Sequence, residues 1–230
     1  MKISDILKSK EITVSIEIFP PKLGAELEES RKVVAEMAAL NPDFISVTYG
    51  AGGTGGHSRT CEIASKIKND LGVESMAHLT CVNSSRADID ATLEDFRKHG
   101  IENILALRGD YAEGVPPQKD FRYASELCAY IRAHGDFDVS GACYPEVHVD
   151  AADAAEDVLN LKKKVDAGAT HLISQLFFDN EVFFRFLDAA DKTGITVPTH
   201  AGIMPITSAK QLGTTVSLSG SSVPKALADL

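Results

Sequence analysis

The stretch VTYGAGGTGGHS, Val47 to Ser58, contains Gly50-x-Gly52-x-x-Gly55, the letter pattern of a dinucleotide-binding turn. It follows an apolar run, Phe44 to Tyr49, and precedes a helix-like stretch, and Asp70 sits twenty residues past Gly50. Two folds compete for these letters. One is an open doubly wound sheet, an NAD-dependent Rossmann dehydrogenase with its nicotinamide cofactor on the glycines. The other is a (β/α)8 barrel in which they form a loop. A Rossmann fingerprint normally lies on the first strand of its domain, and the ribose-binding acid ends the next strand. Here the glycines follow the second strand, and Asp70 lies at a helix end, KIKNDLG, before the third strand begins. The five glycines between 50 and 56 read more simply as a mobile loop over the mouth of a barrel.

Outward from that stretch, the periodicity alternates regularly. Strands are expected at 12–19, 44–49, 74–80, 103–107, 139–144, 172–178 and 196–204. Helices are expected at 24–40, 59–71, 86–99, 123–134, 152–167, 181–193 and, more weakly, 208–217, with a further helix starting near Ser222-Val-Pro-Lys. A Gly/Pro loop at 109–120 joins the fourth strand to its helix. Seven strand–helix units of about 30 residues each imply parallel strands with crossover helices.

Polar residues fall at the same end of seven successive strands: Glu17, Thr48, His78 with Thr80, Arg108-Gly109-Asp110, Tyr144 to His148, Gln175 and His200. A shared mouth at the C-terminal ends of the strands explains that better than seven structural accidents. The expected fold is therefore an α/β (β/α)8 TIM barrel, lacking the eighth strand–helix unit.

Composition bounds the function. Apolar content of 44% and charged content of 24% are those of a soluble globular chain. Net charge −10 argues against nucleic acid or an anionic membrane as partner. No apolar run approaches the length of a membrane span. Residues 1–13 show no apolar leader core and no cleavage site, so the expected location is the cytoplasm. Cys61, Cys81, Cys128 and Cys143 form no CxxC pair and have no His at zinc-ligand spacing. They read as reduced thiols, and no metal is expected.

Several groups carry chemistry. Glu17 lies between Ile16 and Ile18, where a charged side chain is rarely buried unless paired. It is either an inward Glu paired with Lys or Arg, or an acid whose pKa burial raises, suited to proton donation. Arg108-Gly109-Asp110 pairs a close backbone approach with a negative charge. Glu146 and His148 could ligate a metal but lack a clear third ligand, so Tyr144-Pro-Glu-Val-His148 reads rather as ring stacking and hydrogen bonding to a cofactor. Asp157, Asn160, Lys163 and Lys164 share a helix face, either a solvated surface or a ribose and phosphate site. Gln175, placed in an apolar strand, needs partners, and its amide can read a heterocycle edge.

Together, SIEIFPPK, FISVTYGAGG, HLTC, ILALRGD, YASEL, YPEVH, DVLNLKKKVDAGA, ISQLFFD and AGIMPIT resemble, in order, the methylenetetrahydrofolate reductase family of flavin-dependent barrels. The resemblance implies FAD reduced by NADH or NADPH, then hydride transfer to 5,10-methylenetetrahydrofolate, giving 5-methyltetrahydrofolate for one-carbon metabolism and methionine biosynthesis. It implies Glu17 as general acid and Asp110 as the acid beside the flavin, with Glu17, Asp110 and Gln175 touching the folate. It assigns the flavin to Thr48, His78, Arg108, Gly109, Asp110, Tyr123, Ala124, Tyr144, His148, Ala151, Asp157, Asn160, Lys163 and Lys164. The family commonly has Arg where Lys163 stands, which keeps the charge but loses the planar fork. Thr214 and Thr215 stand where some members place a packing aromatic. Residues 1–230 are then one FAD-binding barrel catalytic domain, C-terminally short, and a homo-oligomer. The competing expectation is a truncated, catalytically inactive flavin-binding fragment, which would hold FAD without turnover.

Overall fold

The computed structural model describes residues 1–20, 27–49, 56–111 and 120–229. The predicted glycine loop at 50–55 and most of the loop at 109–120 lie outside the described residues. The chain divides into two compact units, Met1–Ser140 and Gly141–Leu230. The division falls inside a strand, so each unit owns part of it.

In the first unit the elements run α1 (Ile3–Ser9), β1 (Ser15–Ile18), α2 (Leu27–Ala38), β2 (Phe44–Val47), α3 (Gly56–Asn69), β3 (Glu74–Thr80), α4 (Arg86–Lys98), β4 (Asn103–Leu107), α5 (Ala124–Ala133) and the start of β5 (Asp138–Cys143). Parallel pairing puts Glu17 opposite Ser46, Ser46 opposite Met76, and His78 opposite Leu105. All four residues of β2 are buried, as expected for a parallel strand covered on both faces. Phe44, Ile67, Leu79, Leu93, Phe96 and Leu127 fill the core and are fully or almost fully buried. Each such side chain contributes about 1.5–3 kcal/mol. Ser85 starts α4 with a reciprocal capping box to Asp88.

Helix α1 was not expected from the sequence. Its first N–H groups are satisfied from far along the chain: Ile3 N–H donates to Asn103 Oδ1 at 2.9 Å and Ser4 N–H to Asp138 Oδ2 at 2.7 Å. Ile3 is fully buried, which ties the helix to the N-terminal ends of β4 and β5. Beside it, the Met1 ammonium and Lys68 share Glu74 and Glu102. The hydrogen bond from Lys68, then that from the Met1 ammonium, pulls the Glu102 carboxyl down to about 2. A depressed carboxylate adds stability that is present above its ordinary value of 4.5 and is lost as pH falls toward 2. Burial holds His78 at about 4 against an ordinary 6.5, so stability is also lost as pH falls from 6.5 to 4. The melting temperature is therefore expected to fall in two stages in acid. Lys68→Met should flatten the lower stage and leave the upper one, which circular dichroism melts across pH 7 to 2.5 would resolve.

In the second unit β5 continues into α6 (Ala154–Asp166), β6 (His171–Ser174), α7 (Asn180–Lys192), β7 (Thr199–His200), α8 (Ala209–Ser219) and α9 (Lys225–Ala228). Cys143, Val158, Leu161, Leu172, Phe183, Phe186, Ala190 and Ile195 form its core. The Phe177 and Phe183 rings stack at 4.5 Å. Asp153, Asp179 and Ser208 cap their helices through side-chain oxygens.

Strand order is β1 to β7 in sequence, each hydrogen-bonded to the next. That is the order of a (β/α)8 barrel through its seventh unit, and no eighth strand occurs among the described residues. Four strands are shorter than expected, β2 among them, ending at Val47 rather than Tyr49. The β1 ladder excludes Ile12 and Val14, which are exposed apolar residues. The β6 ladder stops at Ser174, so Gln175 lies just past the strand rather than inside it. The β7 ladder is confined to Thr199–His200 between Pro198 and Gly202. Gly202 marks a close approach: a Cβ there would lie 2.3 Å from the Ser174 carbonyl oxygen.

Candidate active site

In the first unit three polar side chains share one face of β1, β2 and β3. Ser46 Oγ lies 3.5 Å from Glu17 Oε2, and His78 Nε2 lies 3.6 Å from the same oxygen, outside hydrogen-bonding range. Glu17 therefore has Ser46 and His78 as neighbours among the described residues, not the Lys or Arg that a structural ion pair would need. Loss of solvation raises the Glu17 carboxyl above the usual carboxylate range, and the Ser46 hydroxyl only partly offsets it. The side chain keeps 45% of its surface open, so the acid is recessed at its carboxyl yet reachable. His78 is buried and neutral near pH 7, and its Nε2 has no hydrogen-bond partner among the described residues.

The exit of β4 builds the second feature. Gly109 has φ +83°, and a Cβ at this position would sit 2.9 Å from Thr80 Cβ. Backbone bonds from Cys81 and Val82 N–H to the Arg108 carbonyl fasten this turn to the end of β3. Arg108 lies over the Tyr111 ring at 5.2 Å. Asp110 is exposed at the tip, and its carbonyl lies 3.5 Å from Asn83 Nδ2. Thr48 follows β2, its N–H donating to the Ile18 carbonyl and its own carbonyl accepting from Thr60 Oγ1. Tyr123 caps α5 with its ring half-exposed, and Ala124 is buried behind it.

In the second unit the loop after β5 is fixed to α6. His148 N–H donates to Asp157 Oδ2 at 2.9 Å, and the Tyr144 and His148 rings meet edge to face at 4.6 Å. Lys164 turns inward: its Nζ donates to the Ala142 carbonyl at 2.7 Å and lies 5.9 Å from the Tyr144 ring centre. Lys163 instead reaches Asn160 Oδ1 at 2.8 Å on the outer side. The helix face expected at 157–164 thus divides into a strand-facing lysine and a surface lysine. Ala151 N–H closes the loop on the His148 carbonyl. Gln175 spends its Oε1 on the following Leu176 N–H at 2.9 Å. Thr215 is buried with Oγ1 against Met204 sulfur.

The sequence reading missed three features here: Ser46, Asn83 and the contact of Glu146 with Ser222. Ser46 carried a signal, a polar residue in the apolar run FISV, but only the register puts it opposite Glu17. Asn83 Oδ1 is buried without a hydrogen-bond partner among the described residues. Glu146 accepts Ser222 N–H at 3.0 Å through each of its oxygens.

Parallel strands in chain order that carry polar residues at their C-terminal ends are the arrangement of (β/α)8 enzymes. Residues 2–230 match the family model described as methylenetetrahydrofolate reductase. The chain is 42% identical to the 5,10-methylenetetrahydrofolate reductase of Pectobacterium carotovorum subsp. carotovorum, over 93% of this chain and 70% of that one. It is 39% identical to the protein of that name from Escherichia coli (strain K12), over 96% and 73%. Among solved structures it resembles, with TM-score 0.68 and 19% identity over 100% of this chain and 78% of the other, an uncharacterized protein from Clostridium thermocellum that binds two copies of 5-methyl-5,6,7,8-tetrahydrofolic acid. The chain belongs to the methylenetetrahydrofolate reductase family.

Proposed function

We propose that this chain reduces 5,10-methylenetetrahydrofolate to 5-methyltetrahydrofolate in one-carbon metabolism, with FAD as bound carrier and NADH or NADPH as donor. Family membership over nearly the whole chain is the observation that carries the reading. FAD, when bound, supplies the hydride. The residues present fit that group. His78 Nε2, on the Glu17 face, is buried without a hydrogen-bond partner among the described residues. Gly109 leaves no room for a Cβ at the strand exit. In the second unit Asp157, Asn160 and Lys164 would serve ribose and pyrophosphate, and Lys163, which reaches Asn160 on the outer side, would have to turn to join them. Tyr123, Ala124, Tyr144, His148, Ala151, Thr48 and Arg108 would hold the rest.

Glu17 keeps a proton to higher pH than an ordinary carboxylic acid and delivers it to the folate, promoting opening of its five-membered ring. Asp110 places its charge beside the flavin, and Gln175 offers its amide to the folate edge. This reading takes the protein as a cytoplasmic homo-oligomer acting on a reduced folate, with its four buried cysteines as thiols. No helix among the described residues is long and apolar enough to cross a membrane.

The test is an absorption spectrum of the purified protein, followed by anaerobic NADH. Visible flavin bands that bleach on NADH and recover on methylenetetrahydrofolate are expected. A colourless protein that takes up no added FAD would overturn the reading.

A further inference from the structure

We propose that Glu146 is a positioning residue: it clamps a strained turn at Val147 and so sets His148 against Asp157. The proposal rests on the flavin reading only for what His148 and Asp157 are held to do.

The argument starts from the backbone. Val147 has φ +79°, in the left-handed region that β-branched residues almost never adopt. Such a conformation persists only where its surroundings over-determine it. The turn's own bond, Val147 N–H to the Tyr144 carbonyl, is long at 3.4 Å and cannot do this alone. The flanking residues supply what is missing. On one side both Glu146 oxygens lie 3.0 Å from Ser222 N–H, a charge-assisted bond to a segment more than seventy residues away. On the other side His148 N–H is bound to Asp157, and His148 Nδ1 accepts from Asp150 N–H at 3.1 Å.

The segment that Glu146 grips is itself anchored. Gly220 ends α8 in the left-handed conformation, φ +71°. Ser221 is buried, and its Oγ donates to the Leu176 carbonyl at 2.7 Å. Ser222 then presents its N–H to Glu146. Residues 220–222 thus tie the exit of β5 to the exit of β6, within one unit. The candidate metal reading of Glu146 with His148 gives way to this role, because the Glu146 carboxylate is engaged by the backbone.

The chemistry explains why the strain is kept. The left-handed turn reverses the chain so that the His148 ring meets Tyr144 while its N–H meets Asp157. A relaxed Val147 would swing one of these contacts away. Glu146 therefore acts through Val147, not by touching a ligand.

The test is a cycle of Glu146→Ala and Val147→Gly, read by hydrogen exchange at the His148 amide and by FAD titration. Glycine adopts positive φ without penalty, so V147G removes the need for the clamp. In E146A we expect exchange at His148 to speed by about tenfold and FAD affinity to fall by a similar factor, the loss of one charged hydrogen bond. In V147G alone neither changes. In the double variant both return to within about threefold of wild type, since the strain is gone. Glu146→Gln keeps one acceptor oxygen and should fall between, a safeguard if the alanine variant folds poorly. Unchanged exchange in E146A and E146Q, or an equal loss in the V147G background, would overturn the clamp. If wild type takes up no FAD while exchange follows this pattern, the clamp stands and the flavin reading falls.

Discussion

Glu17→Gln should lower the rate of folate reduction by about 10²–10⁴-fold, the range for losing a positioned general acid. Reduction of the bound flavin by NADH should stay within about threefold, because that half-reaction needs no proton from Glu17. Gln keeps the shape and the hydrogen bond to Ser46 but cannot donate the ring-opening proton. The stability readout separates this from structural damage. Glu17 ionises reluctantly because its carboxyl is recessed, and a neutral amide there sheds that cost at neutral pH. The melting temperature of E17Q should therefore equal or exceed that of wild type at pH 8. The wild-type folate half-reaction should also slow as pH rises through the folded-state value of Glu17, which lies above 4.5, and the variant should lack that limb. Stopped-flow measurement of both half-reactions checks all of this. A folate rate that drops only in proportion to the flavin rate would deny Glu17 the acid's role.

The strands and helices were legible because each βα unit carries its own periodicity and each strand end its own polar group. β3 and β4 match the expected bounds residue for residue, since both are buried ladders between clear breakers. What failed was settled by partners distant in sequence. Helix α1 is fixed by Asn103 and Asp138, and nothing in ISDILKS announces those acceptors. Gln175 looked like a strand residue because the apolar residues of ISQLFF continue on both sides of Ser174 and Gln175, yet the ladder ends at Ser174. There Ser174 Oγ accepts Gly202 N–H and the chain turns. At the site, Glu17, His78 and Arg108-Gly109-Asp110 were visible as polar residues out of place. Their pairing was not, because Ser46 faces Glu17 only through the β1–β2 register. Glu146 read as a ligand or a stacking-loop residue because its true partner, a backbone N–H at 222, leaves no trace in residue type.

Gly109→Ala should weaken FAD binding by about 10²-fold, more than its effect on folding alone would give. Two costs combine at this position. The left-handed backbone, φ +83°, costs an L-residue about 1–2 kcal/mol. The new methyl would also meet Thr80 Cβ at 2.9 Å and Val82 Cγ1 at 3.4 Å. Thr80 Cβ is fixed to the backbone, so rotating a side chain cannot relieve the overlap, and the turn itself must move. That turn is the last covalent link to Arg108 and Asp110, and it is pinned through the Arg108 carbonyl to Cys81 and Val82 N–H. Displacing it shifts both charged groups at once, and about 2.7 kcal/mol of lost complementarity corresponds to the expected factor of 10². Gly135→Ala is the control for steric damage away from the site. Its Cβ would meet Phe137 Cε2 at 2.8 Å, a clash with a buried ring edge rather than with a backbone-fixed atom, in the same unit at the turn before β5, away from the strand exits. G135A should lose melting temperature yet bind FAD as wild type does, whereas G109A should lose both. Equal FAD affinity in the two variants would mean that the β4 exit is ordinary scaffold, and Arg108, Gly109 and Asp110 would have to be removed from the site.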